Sequence, residues 1–155
     1  MFSDYRTGET AAPSPQLSEV ERTTARYVFA VSTLSTECDE RVATGELHEY
    51  LDVTPASVTE MVAKLDDRGL VDYEKYQGVR LTGQGRELAT GISWRLCVVT
   101  SFFDSVLGAS LDEDTAFDIG FTLPEDGVYH LRERIQTSCL EVCPEAEGRH
   151  AHCVS

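Results

Sequence analysis

The sequence predicts a mainly α-helical chain with one small β-hairpin, on three observations. Val58, Met61, Val62 and Leu65 recur at i, i+3, i+4 and i+7, the spacing that puts one apolar stripe on a helix. Two short β-prone runs follow at once, LVDYE and VRL, joined by a turn that contains Gly78. A second stripe, through Leu88, Ile92, Leu96, Val99, Phe103 and Val106, then continues for about five helical turns.

Residues 1–16 are rich in Ser, Thr, Pro and Gly without periodicity, so a disordered arm is expected. Ser18 with Glu21 reads as a capping box, and Val20, Tyr27, Val31 and Leu34 place a first helix from there to Leu34. A polar connection leads to a short helix, TGELHEYL, with Thr44 as the expected cap. Thr54 caps the next helix, Pro55 suits its first position, and Gly69 is its expected left-handed terminator. After Gly83 and Gly85 comes the long helix, expected to end at Gly108. It has no obvious partner inside so small a chain, which points to packing against a second subunit. Two shorter helices are expected over residues 112–121 and 124–135.

Helix, short turn, helix, hairpin is the order of a winged helix-turn-helix. The expected organisation is a winged-helix DNA-binding domain over residues 17–83, a helical dimerisation domain over 84–136, and a Cys/His-rich tail over 137–155. Small and hydroxyl residues at the start of the second helix of the motif can approach base edges in a major groove. The expected DNA-facing residues are therefore Thr54, Pro55, Ala56, Ser57, Thr59 and Lys64 on that helix. Lys75, Gln77 and Arg80 on the hairpin would lie near phosphates or the minor groove.

Composition sets a condition on this reading. The chain has 155 residues, with 13 basic against 27 acidic ones and a net charge of -14. Lys64 and Lys75 are its only lysines, a texture expected of proteins from salt-saturated cytoplasm. In molar salt the Debye length falls to about 3 Å, so distant carboxylates do not repel a phosphate backbone. No apolar run approaches the roughly 20 residues that span a bilayer, and the polar N-terminus does not resemble a secretory signal. A cytoplasmic protein is expected. No Ser/His/Asp set, phosphate loop or acid/base pair stands out, so an enzyme is not expected.

From about Thr23 to Ile135 the sequence resembles the diphtheria toxin repressor family of metal-dependent regulators. The manganese transport regulator branch is nearest, through VTPASVTEMVAKLDDRGLVDYEKYQGVRLTGQGRELA with its YEKY wing and T-x-x-G turn. The resemblance implies a homodimer, an operator-binding winged helix, and bound divalent metal, manganese by analogy. The family's ligands come from the first helix, the long helix and the helix after it. The corresponding positions here are Arg26 and Phe29, then Leu96 and Thr100, then Phe117, Gly120 and Phe121, with Asp118 as a stray carboxylate among them. That ligand set is not carried over.

The tail offers other ligands, SCLEVCPEAEGRHAHCVS. Thiolates with nearby imidazoles suit iron or zinc, and four cysteines suit an iron–sulfur cluster. The expected site is Cys97, Cys139, Cys143 and Cys153, with His150 and His152 as alternative ligands, while Cys38 is read as incidental. A metal-free thiol switch, or a tail that binds nothing, would fit the same residues. The function expected is thus a homodimeric DNA-binding regulator, a repressor, responsive to a transition metal or a redox signal. The alternative is a winged-helix protein–protein interaction module without metal sensing.

Overall fold

The computed structural model describes residues 21–37 and 39–135. The expected arm, the Ser18 cap, Cys38, and the tail with Cys139, Cys143, Cys153, His150 and His152 lie outside the described residues. Among the described residues six helices and one hairpin follow in order: α1 (Arg22–Leu34), α2 (Thr44–Leu51), α3 (Pro55–Asp67), β1 (Val71–Glu74), β2 (Gly78–Leu81), α4 (Gly83–Ser105), α5 (Glu113–Thr122) and α6 (Glu125–Glu133). The architecture is mainly α with a small β-wing.

The winged helix is held by one apolar core. Ala25, Val28 and Val31 of α1, Leu47 of α2, and Val58, Val62 and Leu65 of α3 are each fully buried in it. β1 and β2 pair antiparallel, with Val71 opposite Leu81 and Tyr73 opposite Val79. Val42 adds one antiparallel bridge to Val79, so the wing is anchored to the connection between α1 and α2. Gly69, with φ 75, ends α3 as expected, because a residue without Cβ enters the left-handed region at no steric cost.

Two helix starts differ from the sequence reading. Glu21, expected inside the first turn of α1, is itself the extended residue before it. A capping box contributes only about 1 kcal/mol, too little to fix the register of a helix whose buried face begins at Thr24. In α2 the cap position is Ala43 and Thr44 is already helical. Ala43 has no side-chain acceptor; instead the Glu46 carboxylate reaches back to accept from the Ala43 N–H at 3.0 Å, which serves the exposed donor equally well.

The long helix departs further. α4 ends at Ser105, with Gly108 left-handed three residues on (φ 64). Its stripe finds partners within the chain: Ile92 is 2% exposed and Val99 0%. The cause is that α5 and α6 fold back onto α4, and α1 packs against it as well. Cys97 and Val98 on α4 join Val128 of α6 and Ile135 in a second, smaller cluster. Only the far end stays open, where Val106 is 47% and Leu107 57% exposed. No described helix is long and apolar enough to cross a membrane.

Candidate nucleic-acid interface and the junction behind it

The start of α3 is built from hydroxyls. Thr54 is the N-cap, its side-chain oxygen accepting from the Ser57 N–H at 3.2 Å while its hydroxyl donates to Ser57 Oγ at 2.8 Å. Pro55 takes the first helical position, where its missing N–H costs nothing. The Thr59 hydroxyl donates to the Pro55 carbonyl at 3.1 Å, which leaves its methyl as the group open to a partner. Thr54, Pro55, Ala56, Ser57, Thr59 and Lys64 are all exposed, on the side away from Val58, Val62 and Leu65. Lys64 Nζ sits 3.3 Å from the Glu60 carboxylate one turn earlier.

The wing is braced by a residue the sequence reading missed. Arg41 donates to the Asp72 and Gly78 carbonyls at 3.0 and 3.1 Å and to the Asp72 carboxylate at 2.9 Å. The signal was absent because Arg41 lies in a polar stretch 31 residues from Asp72. Arg80, expected at phosphates, shares the same carboxylate, its Nε donating at 3.1 Å. Partial desolvation pushes the Asp72 pKa up, but the hydrogen bonds and charges of Arg41 and Arg80 outweigh it and leave the carboxyl below its ordinary value. At the tip Lys75 and Gln77 are exposed. Tyr76 between them is 95% exposed with φ 68, and Lys75 Nζ lies 5.3 Å from its ring centroid.

Behind this surface α5 docks on α1 and α4. Phe117 of α5 is 1% exposed, stacked on Phe121 with centroids 6.0 Å apart and tilted against Phe29 of α1 at 6.1 Å. The guanidinium carbons of Arg22 and Arg26 stand 5.8 and 5.4 Å from the Phe117 centroid. Each arginine also pairs with an α5 carboxylate, Arg22 with Asp118 and Arg26 with Asp114. Tyr50 of α2 donates to Glu113. Its burial first, then its bond to Glu113 and that residue's charge, pushes its pKa up to about 12.

These are the three helices from which the resemblance would draw divalent-metal ligands, and the residues present do not fit a metal. Among the described residues no group of three or more His, Cys, Asp or Glu side chains is placed to hold an ion. The crevice lined by Ile92, Arg95, Leu96, Phe117, Gly120 and Phe121 exposes a mainly apolar wall and leaves no room for a water. In that lining the 9%-exposed Arg95 donates to the Gly120 and Leu123 carbonyls at 3.0 and 2.7 Å. Of the expected cysteine set only Cys97 is described, 9% exposed on α4 and engaged in a disulfide.

Known proteins support this geometry. The family model for the N-terminal DNA-binding domain of iron-dependent repressors matches residues 20–79. The HTH-type transcriptional regulator MntR of Oceanobacillus iheyensis is 39% identical over 71 residues, 46% of this chain and 47% of its own. An uncharacterised HTH-type transcriptional regulator of Methanocaldococcus jannaschii is 36% identical over 90 residues, 58% of this chain and 70% of its own. Among solved structures, a manganese-dependent transcriptional repressor in complex with manganese superposes with TM-score 0.64 at 24% identity, over 72% of this chain and 52% of that one. The manganese regulator SloR gives 0.61 at 26%, with the same coverage. The chain spans about half the length of the curated MntR relatives that it matches. It belongs to the diphtheria toxin repressor and manganese transport regulator family of metal-dependent transcriptional regulators, whose members are regulators and not enzymes.

Proposed function

We propose that the chain is a homodimeric, DNA-binding transcriptional repressor in which α3 reads the major groove and the wing lies along the backbone. One observation carries this reading. α3 buries Val58, Val62 and Leu65 completely while Ala56, Ser57, Thr59 and Lys64 face outward, an exposed polar face with nothing bulky at its N-terminal end. The Thr59 methyl suits a thymine methyl, and Ser57 suits a base edge. Lys75, Gln77 and Arg80 follow on the wing. The exposed apolar residues just past the end of α4, Val106 and Leu107, support a dimer contact there.

Sequence-selected genomic fragments retained in molar KCl test the reading. Ser57→Ala with Thr59→Ala is expected to weaken binding to the selected operator by about 10-fold or more, since a base contact contributes about 1–3 kcal/mol. Retention of no fragment at any salt would overturn DNA binding in favour of a protein–protein module.

Its signal would be a transition metal or a redox change acting through Cys97. Iron, zinc or an iron–sulfur cluster held by Cys97 with Cys139, Cys143 and Cys153, or with His150 and His152, remains the proposed cofactor. Thiolate ligation by Cys97 requires that its disulfide be reduced first. Metal and sulfide analysis of reduced, anaerobically purified protein tests this; protein free of both would leave thiol chemistry alone as the signal.

A further inference from the structure

We propose that the seat between α1, α4 and α5 is a metal-free clamp, in which Arg22 and Arg26 stand where the family's divalent cation would and join α5 to the winged helix. Four features converge on it. The residues at the family's ligand positions are Arg26 and Phe29, Leu96 and Thr100, and Phe117, Gly120 and Phe121, of which only Thr100 has a side-chain lone pair to offer. The crevice between α4 and α5, lined by Ile92, Arg95, Leu96, Phe117, Gly120 and Phe121, leaves no room for a water. The positive charge is already supplied, by guanidinium groups on α1 within 6 Å of the Phe117 ring centroid. Finally, the nearby carboxylates are taken, Asp118 by Arg22 (Nε donating at 2.9 Å) and Asp114 by Arg26.

The physical logic is substitution. A bound cation holds two helices together by drawing carboxylates from both. Here α1 brings the cations and α5 brings the anions, so the same closure forms with no ion to gain or lose. The buried ring of Phe117 adds cation–π attraction from both arginines. A divalent ion entering the seat would meet like charge from Arg22, Arg26 and Arg95, and carboxylates already paired with two of them. The docking of α5 is therefore written into the chain, and any metal response must enter elsewhere.

The test uses the full wild-type chain and needs no DNA, so it succeeds or fails apart from the operator-binding reading. Manganese is the probe, because it is a hard ion that thiolates take up poorly. Added at one equivalent to EDTA-treated protein, it should keep its full free-ion paramagnetic signal, and hydrogen exchange of α1 and α5 amides should not change. Loss of that signal, restored by Asp118→Ala or Asp114→Ala, would overturn the proposal. In a second arm, Arg26→Asp should speed exchange of α5 amides roughly 5-fold, the scale of one partly exposed ion pair plus its reversal. Asp114→Arg in the same chain should restore slow exchange. If Arg26→Asp leaves exchange untouched, the arginine does not clamp α5 and the proposal falls; should that variant not fold, the manganese arm decides alone.

Discussion

Gly85→Ala should destabilise the wing although it replaces a helical glycine by the best helix former. Gly85 lies in the first turn of α4 and donates its N–H to the Thr82 cap at 3.2 Å. A Cβ there would stand under 3.0 Å from the Leu70 carbonyl oxygen, 3.1 Å from its carbon and 3.2 Å from Leu81 Cδ2. The obstacle is backbone, so no rotamer change relieves it. That same carbonyl accepts from the Thr82 N–H at 3.1 Å, and Thr82 Oγ1 donates to the Gly69 carbonyl at 2.6 Å. Moving α4 away would strain or break both bonds. Two hydrogen bonds at about 1 kcal/mol each, with about 1–3 kcal/mol of overpacking, outweigh the roughly 1 kcal/mol gained in helix propensity. The expected net loss is about 2–4 kcal/mol. Gly91, where an added Cβ meets nothing within 4 Å, is the control: Gly91→Ala should gain about 0.5–1 kcal/mol. Urea unfolding followed by circular dichroism reads both. A Gly85→Ala midpoint equal to or above wild type would refute the close approach of α4 to the wing.

Three further outcomes are expected. Tyr76→Gly should raise stability by about 0.5–1 kcal/mol, since a tyrosine at φ 68 is strained and glycine is not; an unchanged urea midpoint would mean that the tip is not left-handed. The raised pKa of Tyr50, about 12, means that the folded chain holds this proton more tightly than the unfolded one. Its contribution is thus complete below about pH 10 and lost as pH rises toward 12, by about 1 kcal/mol after solvent screening. Unfolding at pH 9 and 11 should show that loss in wild type and not in Tyr50→Phe. Phe103→Asp, at the open end of α4, should convert dimer to monomer because an unpaired charge in an apolar contact is costly; wild-type chain sedimenting as a monomer would sink the dimer itself.

What could be read from the sequence was whatever is local and periodic. The α3 stripe, its Thr54–Pro55 start, the Gly69 terminator and the hairpin were all legible, because each is decided within a few residues. The T-x-x-G turn was legible as a motif but not as a reason; that required Leu70 and Gly85 to be seen in contact. The α4 stripe was read correctly as helix and wrongly as unpartnered, since periodicity names a buried face without naming what buries it. The same limit hid the junction. Arg22, Asp114 and Asp118 are unremarkable charges until α5 folds back across 96 residues of chain to set Arg22 on Asp118. The misfit of a metal ligand set was visible in sequence, but what replaced it was not.

The pairing of charges also bears on how so acidic a chain could meet DNA. Two of the three cations on the proposed reading face are paired with carboxylates, Lys64 with Glu60 and Arg80 with Asp72, while Lys75 stands over the Tyr76 ring. A phosphate approaching Arg80 must compete with a carboxylate that is held ionised below its ordinary range, so the exchange gains little. At low salt this would be a poor design, since releasing counterions from the duplex is the main source of non-specific affinity. At molar salt that source is nearly gone for any protein, while repulsion from the remaining carboxylates is screened within about 3 Å. What survives such conditions is contact that does not depend on net charge. Those contacts are what α3 offers first: a proline, an alanine, two hydroxyls and a threonine methyl at its N-terminal end. Arginine pairing on Asp72 then fixes the hairpin to the connection between α1 and α2. An acidic surface is thus compatible with the proposed reading helix, because the contacts proposed for it are with base edges and methyl groups and not with charge.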